Sequence, residues 1–117
     1  MSEAKEQQIV FEWASWNTSK YPDLKLLYAI PNGGRRDKKE AYFMKLSGVK
    51  AGVPDICLPV AKGNYHGLYI ELKVGKNKTT YLQDMWLKNL AERHYKVSVK
   101  YGADEAIKEI KDYLEEK

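Results

Sequence analysis

The chain has a single cysteine, Cys57, among its 117 residues. That excludes an internal disulfide and every cysteine-rich zinc pattern. It fits a reduced, cytoplasmic protein with Cys57 in the core. His66 and His94 are the two histidines, too few for a histidine metal site without carboxylate help; His66 reads as exposed polar filler. Apolar runs are short. Ile56-Cys57-Leu58-Pro59-Val60 is five residues, against about 20 for a membrane helix. The first 17 residues are charged and amphipathic, unlike a secretory signal. No dinucleotide or P-loop fingerprint is present, so no organic cofactor is expected. Internal repeats and low-complexity segments are absent too.

What remains is 44% hydrophobic and 31% charged, a globular composition rather than a disordered one. The length fits one domain spanning residues 1–117. The net charge of +4 favours a polyanionic partner, although charge speaks to association and not to fold. It is unevenly spread. Residues 35–50 hold six basic side chains, Arg35, Arg36, Lys38, Lys39, Lys45 and Lys50, against Asp37 and Glu40. Lys73, Lys76 and Lys78 form a second cluster.

Hydrophobic periodicity predicts the elements in order. Ile9, Val10, Trp13 and Trp16 share one face of a helix over residues 6–17. Residues 24–30 are short and rich in Leu, Tyr and Ile, and read as a strand. A second helix is expected over about 38–47, opened by Asp37 with Glu40 three residues on and stopped by Gly48. Residues 55–60 and 68–74 read as strands joined by a hairpin. A helix over about 81–93 turns Leu82, Met85, Trp86 and Leu90 one way. A strand over 97–101 and a helix over 103–116, with Ile107, Ile110 and Leu114 inward, complete the chain. The order α-β-α-β-β-α-β-α describes an α/β fold, a mixed sheet flanked by helices. Strands 55–60 and 68–74 should pair antiparallel, and the helix before strand 97–101 suggests a parallel crossover.

The chemistry concentrates on one strand. Glu71 and Lys73 point to the same face, about 7 Å apart. Either that face is solvated or the two charges are buried and paired, because burying one alone is costly. Asp55 follows Pro54 and opens the strand expected to pair with the Glu71 strand. It is either a strand-start cap or a second carboxylate converging on Glu71. Two converging carboxylates repel unless a proton or a cation intervenes. Hard divalent ions take carboxylate oxygens and carbonyls such as that of Leu72. Such an ion polarises a phosphodiester and activates water, and Lys73 beside it would stabilise developing charge. Asn32, Gly33, Gly34, Arg35 and Arg36 read either as a turn with solvated arginines or as a phosphate-contacting loop. Lys50, Lys76 and Lys78 extend the basic surface. Thr80 and Gln83 fit a capping box at the start of the third helix.

Gly48-Val-Lys-Ala-Gly-Val-Pro-Asp55, Gly67-Leu-Tyr-Ile-Glu71-Leu-Lys73 and Gln83 followed by Trp86 together resemble the VRR-NUC (virus-type replication-repair nuclease) family. That family lies within the PD-(D/E)XK nuclease superfamily. Ile30-Pro-Asn-Gly-Gly34 and Glu6-Gln7 followed by Trp13 resemble it as well. The likeness runs from about residue 3 to the C-terminus, and the short chain looks like the phage and bacterial members. It implies a restriction-endonuclease-like core and Mg²⁺- or Mn²⁺-dependent phosphodiester hydrolysis. By position it makes Asp55 and Glu71 metal carboxylates, Lys73 the catalytic lysine and Gln83 a site residue. An acid on the first helix joins the metal in this superfamily. Glu3, Glu6 and Glu12 compete for that place, and Glu6 is the choice.

The expectation is therefore an endonuclease acting on DNA, with branched DNA such as a Holliday junction as first candidate. Two symmetric cuts call for a homodimer, located in the host cytoplasm if phage-encoded. A monomeric nicking nuclease and a non-catalytic nucleic-acid-binding module remain open. A small adaptor protein would explain the tryptophans as an interface but leaves the charged strand face unexplained.

Overall fold

The structure is a computed structural model, and it describes residues 1–31 and 37–116. The expectations for Asn32, Gly33, Gly34, Arg35 and Arg36 lie outside the described residues. In chain order the elements are α1 (Glu3–Trp16), a 3₁₀ turn (Pro22–Leu26), β1 (Tyr28–Ala29), α2 (Lys38–Leu46), β2 (Ile56–Leu58), β3 (Leu68–Lys73), α3 (Tyr81–Glu92), β4 (Lys96–Tyr101) and α4 (Ala103–Leu114). The sheet order is β1-β2-β3-β4. β1 and β3 run antiparallel to β2, and β4 runs parallel to β3.

This is the expected mixed sheet with helices on its flanks, and β3 lies inside it. Alternation sends Leu68, Ile70 and Leu72 to one face, where α1 and α4 pack. Val10, Ala14, Ile56, Leu58, Ala106, Ile110 and Leu114 complete that core. A fully buried Leu or Ile contributes roughly 1.5–3 kcal/mol, so this layer holds the sheet. The alternate residues, Glu71 and Lys73, face the other way and are buried as well. The solvated-face reading of this pair is therefore wrong. No helix among the described residues is long and apolar enough to cross a membrane.

Three expectations need correction. Residues 24–30 are not one strand: Pro22 opens a 3₁₀ turn, and pairing is confined to Tyr28–Ala29. The turn wins because Leu24 and Leu27, three apart, both reach the core, and 3₁₀ geometry eclipses such positions. The buried stripe of α1 is Glu6, Val10 and Ala14, while Ile9 and Trp16 are exposed. α3 buries no residue fully, and Leu82 and Met85 stand exposed.

Candidate active site

Three elements meet at the C-terminal half of β3. The register Ile56↔Ile70, continued by one residue, sets Asp55 opposite Glu71. Pro54, just before it, is buried. The Asp55 carbonyl accepts from Ile30 N–H at 2.8 Å, which holds the backbone against the end of β1. Its Oδ2 accepts from the Leu72 N–H at 2.8 Å. In an antiparallel pair one residue's N–H and C=O address the same neighbour, so the Leu72 carbonyl also points to the Asp55 edge.

Glu71 is 1% exposed. Its Oε2 accepts from Gln83 Nε2 at 3.1 Å and lies 3.7 Å from Lys73 Nζ. Its Oε1 is buried and has no hydrogen-bond partner. Burial pushes the Glu71 carboxyl up to about 8. Asp55 beside it pushes the same way, as does Glu3 more weakly, while Lys73 opposes them. Lys73 itself is buried at the end of β3.

Gln83 does two jobs. Its backbone N–H donates to Thr80 Oγ1 and its Oε1 accepts from Thr80 N–H, which closes the expected capping box. The amide's remaining end, Nε2, reaches Glu71. A capping glutamine has its oxygen committed to the helix start, so its NH₂ is free to face the carboxylate. Gly52 seats the preceding loop here. Its φ is +91°, and a Cβ at that position would lie 2.8 Å from the Leu82 backbone. This approach of Gly52 to Leu82 has no local signal in the sequence.

The structure sets Glu6 at the start of α4. Glu6 is buried, and its Oε1 accepts from Ala103 N–H at 2.9 Å. It caps α4, whose own N-cap, Gly102, has no side chain to do so. Glu6 lines a neighbouring cavity with Val74, Lys76 and Gly102. Glu3, one turn earlier, lines the cleft with Asp55, Glu71, Thr80 and Gln83. Glu3 Oε2 accepts from Asn77 Nδ2 at 3.5 Å. Of the basic residues, Lys50, Lys76 and Lys78 are exposed. Lys76 and Lys78 sit in the loop that leaves β3, which Tyr101 anchors by donating its hydroxyl to the Asn77 carbonyl at 2.7 Å. Lys50 lies beside a groove under α2.

The cleft meets the requirement for a cation on two counts. A buried carboxylate oxygen lacks a donor, and two carboxylates abut where a proton or a cation must neutralise them. The donor set is all oxygen, which suits Mg²⁺ or Mn²⁺ rather than a softer metal. Among the described residues no group of three or more His, Cys, Asp or Glu side chains is placed to hold a metal ion. Mg²⁺ does not need one, since it takes one or two carboxylates and fills its remaining positions with water and phosphate.

A mixed sheet whose inner strand carries Glu-x-Lys opposite an Asp at the head of its neighbour defines a nuclease core of the PD-(D/E)XK type. A sequence model of the VRR-NUC domain matches residues 2–104. A solved structure described as a VRR_NUC domain protein is similar at 32% identity and a TM-score of 0.80, covering 97% of this chain and 88% of its own. No curated protein matches the sequence. The chain belongs to the VRR-NUC family.

Proposed function

We propose that the protein is a divalent-metal-dependent DNA endonuclease, with residues 1–117 forming one nuclease domain. It hydrolyses phosphodiester bonds and acts as a homodimer on branched DNA in the cytoplasm. The observation that carries this reading is the buried Glu71 Oε1 without a donor, set against Asp55.

Asp55, Glu71 and the Leu72 carbonyl would hold Mg²⁺ or Mn²⁺, and Glu3, which lines the same cleft, would reach the ion through water. The ion supplies Lewis-acid polarisation of the phosphate and a lowered pKa for water. Gln83 fixes the Glu71 carboxylate through Oε2, which leaves Oε1 facing the cation site. Leu72 N–H fixes Asp55 in the same manner, as second partners orient metal ligands elsewhere. Lys73 stands 3.7 Å from Glu71, where its ammonium can stabilise negative charge building on the phosphate. Its burial keeps that charge from being screened by solvent.

Within this domain, selection would rest on basic surface and geometry, which read shape more than sequence. Trp16, 78% exposed, and Ile9 on the outer side of α1 supply apolar surface for a second copy. Two related sites would deliver the paired cuts that a four-way junction requires. The test is sedimentation of the protein, free and with a labelled immobile junction, together with mapping of the cut positions. A dimer making symmetric paired nicks supports the reading. A strict monomer that cuts linear duplex as well as junction would replace it with a monomeric nicking nuclease.

A further inference from the structure

α2 is the least embedded helix among the described residues. It buries no residue. Tyr42, Phe43 and Leu46 are 60%, 54% and 64% exposed, and Met44 is its half-buried anchor. Tyr42 and Phe43 meet edge to face, their centroids 5.8 Å apart. Lys38, Lys39 and Lys45 surround them, also exposed, with Lys50 just beyond the helix. Glu40 is the acid within this helix, and Asp37 is committed as its N-cap at 2.7 Å from Glu40 N–H. A helix that buried its aromatic residues against its own fold would need no such ring of lysines.

Its position gives these groups a use. Under α2 runs a groove of about 540 Å³, lined by Met44, Val49, Leu82 and Trp86 among others. Ala51 and Leu82 also line the cleft of about 520 Å³ that holds Asp55 and Glu71. Groove and cleft are thus neighbours that share Ala51 and Leu82, which sets α2 on the side of the molecule next to the carboxylates.

We propose that α2 is a DNA-holding arm. Its lysines grip the phosphate backbone, and Tyr42 and Phe43 stack on bases that have left the helix at a branch or gap. This deepens the nuclease reading and rests on it for the position of the DNA. Charge chooses the occupant. A second copy of α2 brought against the first would set three lysines against three, whereas a polyanion neutralises them. The aromatic pair adds what charge alone does not. Every base has a π-face, so stacking rewards an unstacked base without reading its sequence.

The experiment is binding, not cleavage. Fluorescence anisotropy in EDTA measures a four-way junction and a matched linear duplex across a salt series. The proteins are the wild type, Tyr42→Ala/Phe43→Ala and Lys38→Ala/Lys39→Ala/Lys45→Ala. Because α2 buries nothing, both variants should melt with the wild type. The aromatic variant should lose about 10-fold or more in junction affinity and less than about 2-fold in duplex affinity. The lysine variant should weaken on both DNAs, and its slope of log affinity against log salt should fall by about 3. Unchanged affinity in both variants would overturn the proposal. So would an aromatic variant that sediments as a monomer where the wild type is a dimer, since the face would then be the subunit interface. Wild-type binding with no preference for the junction would overturn the stacking role. Hydrolysis is not read, so a failure of the nuclease reading would show separately, as unimpaired cleavage by an Asp55 variant.

Discussion

At Glu71 the proposed role and the burial pull apart: a carboxylate must be charged to hold a cation, and this one is buried where charge is costly. Its pKa stands at about 8 against an ordinary 4.5. Between those values the folded protein holds a proton that the unfolded chain has released. Stability from this group is therefore full below about pH 4.5, declines as pH rises and is lost above about 8. In EDTA, calorimetry should show Tm of the wild type falling from pH 5 to pH 8.5 more steeply than Tm of Glu71→Gln. Equal slopes would remove the buried charge from the account. Added Mg²⁺ should raise wild-type Tm more at pH 8.5 than at pH 6, because the ion binds the ionised form. Asp55, Glu71 and Lys73 were legible in the sequence because strand alternation puts Glu71 and Lys73 on one face and a Pro-Asp step opens the paired strand. Their burial was not legible, since it depends on what covers that face.

Among elements, the contact between α1 and α4 shows where local pattern stops. Glu3 and Glu6 lie one turn apart on the same helix, and nothing in their spacing says which meets the cleft. The deciding partner is the Ala103 amide, 97 residues away from Glu6. Gly102, at φ +85°, leaves that amide without a side-chain cap and donates its own N–H to the Lys73 carbonyl at 2.9 Å. The Glu6 cap thus braces the end of β3 at Lys73. Glu6→Ala orphans a buried N–H and should cost about 1–3 kcal/mol in denaturant unfolding. Glu6→Gln keeps an acceptor and should cost less, with Mg²⁺ affinity unchanged by titration calorimetry. A large loss of metal affinity in Glu6→Gln would restore Glu6 as a ligand. The helix caps at Asp37 and Thr80 were readable because a cap is a four-residue signal. The strand expected at 24–30 was misread because Leu24 and Leu27 answer to the core and not to pairing.

For the whole molecule, fold class, sheet pairing and crossover followed from the order and periodicity of the elements. The distribution of exposed apolar residues did not. α2 and α3 carry helix-patterned apolar positions that the fold leaves at the surface, because neither helix packs on the α1–α4 core. A surface that is basic and aromatic around a carboxylate site suits DNA, and more so once a cation offsets the carboxylates. The central claim is that Asp55 and Glu71 hold the ion that makes this site cut. The most direct measurement is cleavage of a labelled four-way junction by wild type and Asp55→Ala, in Mg²⁺, in Mn²⁺ and in EDTA. Even outer partners of metal ligands cost about 10–100-fold, so a ligand itself should cost more than about 100-fold. The account predicts metal-dependent cleavage by the wild type and its loss in Asp55→Ala, with folding and DNA binding retained. Cleavage by Asp55→Ala at the wild-type rate, or equal cleavage in EDTA, would contradict it.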